Sequence, residues 1–176
     1  MKHLILLILV TATLLGCAVD AGNRYNVDIR WTSYGIPHVK ADDWGSLGYG
    51  FAYATATDGI CVFAREVARG NGGLSANFGA SEENLANDTL HRAVLTRDRV
   101  QKNAAAMSDN MRAYTAGFVA GYNRYIEDNR EDHPATCAGE EWVRPIDELE
   151  LGRMFIAFGI RYGIGRFSAG IAAAAP

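Results

Sequence analysis

Apolar residues recur three or four apart at Met111, Tyr114, Phe118, Tyr122 and Tyr125, which predicts a helix with one buried face. Ser108 or Asp109 can cap its start, and the polar run at 129–133 before Pro134 ends it. Upstream, Asp42 and Asp43 can cap a longer helix from Trp44 toward Arg69, stopped by Gly70, Gly72 and Gly73. Its own Gly45, Gly48 and Gly50 are poor helix formers, so they are expected where another element approaches closely. Residues 75–87 read as loop and short turn, and 89–106 as a weaker helix. Pro145 suits the first turn of a further helix that carries Ile146, Leu149, Phe155 and Ile156 inward. The tail GIRYGIGRFSAGIAAAAP alternates glycine with apolar and aromatic residues and has no polar terminus, which reads as a chain interrupted.

The stretch RWTSYGIPHVKADD, residues 30–43, has a shorter rhythm. His38 followed by Asp42 and Asp43 can relay protons or hold a metal. Against that, Ile29, Trp31, Ile36 and Val39 are strand formers around the turn residues Ser33, Tyr34 and Gly35, so a β-hairpin explains the stretch without catalysis. His38 also has no nucleophile or second ligand at a useful spacing.

Composition alters the picture at the N-terminus. Lys2 and His3 precede an apolar run from Leu4 to Leu15, the plan of an export signal and too short to span a bilayer. Leu14-Leu15-Gly16-Cys17 resembles the bacterial lipoprotein processing box, so residues 1–17 are expected to be a signal ending at an acylated Cys17. The alternative is plain secretion with cleavage near Ala18 or Ala21. With Cys17 lipidated, Cys61 and Cys137 remain as an even pair in an oxidising compartment and are expected to be joined. The expected location is periplasmic, with membrane contact only through the lipid on Cys17. The formal net charge is −3, and basic residues are scattered singly, which argues against a nucleic-acid partner.

Five blocks in order carry a family resemblance: the hairpin stretch with its Tyr-Gly turn and Pro-His, then ADDWGSLGYGFAYATATD, GGLSANFG, FVAGYNRYIEDN and PATCAGEEWVRPI. From Arg30 to about Ile146 the chain resembles the α-chain portion of the penicillin acylase family, most similar to its acyl-homoserine lactone and aculeacin acylase branch. The resemblance implies an α+β fold, the α-chain part of an N-terminal-nucleophile hydrolase αββα sandwich, mostly helical with one short hairpin. Residues 18–176 would be that portion, stopping before the linker and β chain. It also implies an exported amidohydrolase acting on small acylated amines: N-acyl-homoserine lactones, lipopeptides or β-lactam side chains. The nucleophile would be the first residue, a Ser, of a partner β chain, with its own α-amine as base. No catalytic residue is then expected in this chain, which alone should be inactive, and His38 becomes a scaffold position. The other reading is a non-catalytic lipoprotein remnant of such an enzyme.

Penicillin G acylases place an Arg-Phe pair of the last α-chain helix near the acyl group. Two pairs match here, Arg161-Tyr162 and Arg166-Phe167, with Phe155, Phe158 and Ile160 as apolar walls; the register between the pairs stays open. Packing of an amphipathic helix explains the same apolar residues. Those enzymes also take a calcium ligand, a Glu, a few residues further on, where this chain has Ser168, Gly170 and alanines. No metal or other cofactor is therefore expected to be held by this chain, although calcium in the full enzyme stays open. If the β chain is absent, Met111, Phe118 and Tyr122 are expected to be partly bare and the isolated chain poorly soluble.

Overall fold

A computed structural model describes residues 24–174. The expected export signal, Cys17, Ala18 and Ala21 lie outside the described residues. Two strands, β1 (Val27–Trp31) and β2 (Pro37–Ala41), are followed by α1 (Trp44–Gly70), α2 (Leu74–Phe78), α3 (Glu82–Val94), α4 (Arg97–Ala105), α5 (Asp109–Asp128), α6 (Glu148–Arg161), a 3-10 turn (Ile164–Phe167) and α7 (Ser168–Ala173). The architecture is α+β: mostly helical, with one antiparallel hairpin.

Alternation along the hairpin sorts its residues by face. Val27 pairs with Ala41, Ile29 with Val39 and Trp31 with Pro37 on the side toward α1, while Asp28 faces Lys40 and Arg30 faces His38 on the other. Gly35, at φ 75°, makes the turn, where the Thr32 carbonyl accepts from its amide at 2.9 Å. Ile36 sits in that turn, outside the strands, and is 58% exposed.

The core forms where α1 and α5 cross. Ile60, Phe118 and Tyr122 are each at most 2% exposed and, with Val67, Leu151 and Met154, form the main apolar cluster. The Phe63 ring stacks on Phe118 at 5.6 Å and meets Tyr122 at 5.0 Å. The expectation of bare faces at Phe118 and Tyr122 is therefore corrected: α1 and α6 cover them from within this chain, and only Met111, at the helix start, is exposed. A Cβ on Gly48 would stand 2.1 Å from the Tyr114 carbonyl oxygen, so the backbones of α1 and α5 touch there with no side chain between them.

The loop expected over 75–87 is mostly helix. Ser81 caps α3 by accepting from the Asn84 amide at 3.2 Å, and Glu82 and Glu83 favour the positive end of the helix dipole. Asn87, at the end of the expected loop, and Asp88 just after it are buried and hydrogen-bonded inside. Residues 89–106 are two helices, broken between Val94 and Arg97. Pro145 does not open α6: Asp147 is the cap, in a reciprocal box with Glu150, and the buried Ile146 precedes the helix. Cys61 and Cys137 are joined by a disulfide, with their Cα atoms 5.6 Å apart, which ties the loop before α6 to the middle of α1.

Candidate functional site

Helix α6 positions the residues singled out as an acyl-group wall. Its start is held by the Asp147 cap, 2.7 Å from the Glu150 amide, and by the Arg144 guanidinium forked on the Glu150 carboxylate at 2.6 and 3.2 Å. Leu151, Met154 and Ala157 turn inward. A Cβ on Gly70 would come within 2.7 Å of the Met154 Cα, so α1 and α6 also meet closely.

From that frame the seven candidates diverge into different surroundings. The Phe155 ring packs edge-on against Phe118 at 5.7 Å and helps line an apolar recess of about 210 Å³ with Val100, Met107 and Thr115. Ile160 packs on the second apolar cluster, around Leu95, Val100 and Ala157. Arg161 crosses to α1, where its Nη2 donates to both Glu66 carboxylate oxygens at 3.0 and 3.1 Å. Phe158 lies at the protein surface, and Tyr162 is 82% exposed. Arg166 stacks over the ring of its neighbour Phe167 at 5.1 Å, and both are exposed. The two Arg-aromatic pairs therefore differ physically: Arg161 is fixed to the core helix, whereas Arg166 contacts its own neighbour. Phe158, Tyr162, Ile164, Phe167 and Ile171 together leave an apolar surface at the end of α6 and beyond.

His38 stands exposed on the outer face of the hairpin, beside Arg30 and Lys40. Among the described residues no group of His, Cys, Asp and Glu could hold a metal ion, and no helix is long and apolar enough to cross a membrane.

Sequence reasoning missed a buried polar knot between α1, α2 and α3. The Asp88 carboxylate accepts from the Leu74 amide at 3.0 Å, the Ser75 amide at 2.8 Å and the Ser75 hydroxyl at 2.5 Å. Burial pushes the Asp88 carboxyl up, but these bonds outweigh it and hold it below the usual carboxylate range. The spacing of Asn87, Asp88 and His91 on one helical face was the available signal, and its polar character concealed it. Because the unfolded Asp takes its proton first as pH falls, Asp88 stabilises the fold above about pH 4 and loses that contribution below it. Asp88→Asn is expected to lower stability at pH 7 by about 1.5–3 kcal/mol and to flatten the acid limb of a plot of urea midpoint against pH. An unchanged acid limb would rule out this role.

The sequence pattern of the family described as Penicillin amidase matches residues 26–160. The chain belongs to that family. This penicillin amidase family chain is 40% identical to aculeacin-A acylase of Actinoplanes utahensis over 164 residues, which cover 86% of the chain and 21% of the relative. It is 38% identical to the acyl-homoserine lactone acylase PvdQ of Pseudomonas putida over 161 residues, covering 86% of the chain and 20% of the relative. The chain thus spans about a fifth of the length of these relatives. Among solved structures, it is similar to a thermostable penicillin G acylase from Alcaligenes faecalis, with a TM-score of 0.69 and 26% identity, covering 79% of this chain and 74% of that one. The fold is that of the helical portion of a penicillin acylase, an N-terminal-nucleophile hydrolase.

Proposed function

We propose that this chain is the α-chain portion of an exported amidohydrolase that cleaves the linear amide of acylated amines, N-acyl-homoserine lactones or lipopeptides first among them. The observation that carries the reading is the family match over 26–160, together with 40% identity to an aculeacin-A acylase and 38% to an acyl-homoserine lactone acylase. Amide hydrolysis needs a nucleophile, a base and donors for the oxyanion. In this reading all three come from a partner β chain that begins with Ser, whose free α-amine is the base. The α chain contributes part of the acyl wall. Phe158 and Tyr162 are the wall residues favoured by position, because Arg161 anchors their end of α6 to α1 through Glu66. Export, and anchoring through an acylated Cys17 in the periplasm, belong to the same proposal. Residues 162–173 contain no carboxylate, so that segment offers no side-chain ligand for a calcium ion of the full enzyme.

The test is the intact mass of the product in its native host, after capture with antibodies against residues 28–128, combined with an assay on N-acyl-homoserine lactones of graded chain length. Two co-purifying chains, the second beginning with Ser, and release of free lactone are expected. A single inactive chain ending at Pro176 would overturn the proposal in favour of a non-catalytic remnant. In the two-chain enzyme, Tyr162→Ala is expected to lower kcat/KM on long-chain amides roughly tenfold or more, the effect of losing the burial of one large apolar group. Its melting temperature should hardly move, because the ring is already 82% exposed in this chain. Equal kcat/KM for the variant and the parent would remove Tyr162 from the wall.

A further inference from the structure

His91, on α3, is 6% exposed and lines a small cavity of about 130 Å³ where α1, α3, α6 and the C-terminal segment meet. Arg69 of α1, Arg161 of α6, Gly165 of the 3-10 turn and Ser168 of α7 complete its walls, with Glu83 of α3 at the side. The Asn87 carbonyl lies 2.9 Å from the His91 Nδ1 and can only accept, so Nδ1 is the donor and, in the neutral ring, Nε2 carries no proton.

The charges around this ring leave little room for another cation. Arg69 and Arg161 line the cavity with it and both disfavour its charge, and the one carboxylate they share, Glu66, is engaged by both, at 3.4 Å from the Arg69 Nε and 3.0 Å from the Arg161 Nη2. The Asp88 charge on α3 favours a charged ring and offsets part of this, but its carboxylate is itself held by Leu74, Ser75 and Asn87. Glu83 is exposed to solvent in the first turn of α3, and α7 brings Ser168 but no charged side chain.

The elements around the cavity are held unequally. Helices α1, α3 and α6 each bury several residues, whereas none of the residues from Ile164 to Ala173 is buried. The segment rests on α3 and on the end of α6, so it is the part that can leave at least cost.

We propose that protonation of His91 releases the C-terminal segment, residues 162–173, from α3, which makes this junction an acid-sensitive latch. A charge on Nε2 adds a third cation beside Arg69 and Arg161, and undocking the segment opens the cavity to water, which screens all three. Burial disfavours the charged ring and holds its protonation below the ordinary histidine range near pH 6.5. The docked state is therefore complete at neutral pH and is lost as pH falls below about 6.5. The latch is independent of the amide-hydrolysis reading, and its test uses no substrate.

The experiment is a pH titration of the full chain, with the disulfide intact, followed by amide NMR between pH 7.5 and 5. The amides of Gly165, Ser168 and Gly170 are expected to move to random-coil positions with one midpoint below pH 6.5, shared with the His91 ring proton, while Gly117 and Gly121 of α5 stay in place. In His91→Gln, which carries no titrating charge, the segment is expected to stay docked throughout. If that variant does not fold, Arg69→Gln serves instead: with one neighbouring cation removed, the midpoint is expected to rise toward pH 6.5. Segment amides that do not move in the parent chain overturn the proposal. So does a His91→Gln chain that titrates like its parent, an unshifted midpoint in Arg69→Gln, or simultaneous collapse of the α5 amides, which would mark global unfolding.

Discussion

Gly117→Ala is expected to leave little folded protein. A Cβ at that position would stand 1.9 Å from the Gly45 carbonyl oxygen and 2.7 Å from the carbon behind it, both backbone atoms of a neighbouring helix. A clash with a flexible side chain is relieved by a rotamer change, but this one requires α1 and α5 to separate. Gly121 against Tyr49, and Gly48 against Tyr114, repeat the contact at 2.1 Å along the same crossing. Separation there also parts Phe63 from Phe118 and Tyr122, the centre of the core. Overpacking ordinarily costs about 1–3 kcal/mol, and the upper end or beyond is expected where the obstruction is backbone on both sides. Against a typical total of about 5–15 kcal/mol, that removes much of the margin. Gly159→Ala is the control: it lies in α6, a Cβ there would meet nothing within 4 Å, and the change should be neutral or stabilising by up to about 1 kcal/mol. Urea denaturation of the two variants separates the cases, and a Gly117→Ala midpoint equal to that of the parent would refute the close crossing.

Loss of the Cys61–Cys137 disulfide is the second large effect expected. The bond closes a loop with a sequence separation of 76 residues, and the chain-entropy relation gives about 4.5 kcal/mol for a loop of that size, within the 2–5 kcal/mol seen for native bonds. It also anchors the segment between α5 and α6, beside Asn123, whose side chain receives the Ile146 amide at 2.8 Å and donates to the Ile146 carbonyl at 2.9 Å, and the Arg144–Glu150 pair. At about 2–4 °C per kcal/mol for a chain of this size, Cys61→Ala with Cys137→Ala should melt roughly 10 °C lower than the oxidised parent. The parent in excess reductant should approach the same value. Coincident melting curves for oxidised and reduced protein would show that the bond contributes no stability.

Much of the helical framework was legible along the chain because its signals are local. Ser108 and Asp43 do cap the helices they were expected to cap, each accepting from the amide three residues on. The stripe from Tyr114 to Tyr125 faces the core because a period near 3.6 puts those residues on one side. The first half of α3 was missed for the opposite reason: Asn87 and Asp88 are buried by hydrogen bonds to other elements, so polar residues share its inward face with Ala86 and Leu90 and break the apolar pattern. Pro145 misled because it preceded a helix whose start was set three residues later by the stronger reciprocal capping of Asp147 and Glu150. The wall candidates were legible as a set of residue types, but their separation into an internal recess, a fixed ion pair and an exposed aromatic surface was not.

By itself the sequence determined the hairpin, the two long helices and their caps, because each depends on residues within a turn or two of one another. It also carried the ordered blocks that mark the penicillin amidase family. The close approach expected at Gly48 is there, but only the tertiary structure decided that Gly117 and Gly121 meet it from the other helix, that Asp88 and His91 lie inside, and that Arg161 belongs to Glu66 while Arg166 does not. Those outcomes depend on where α1, α3, α5 and α6 cross, and a crossing brings together residues up to 95 positions apart that no local period relates.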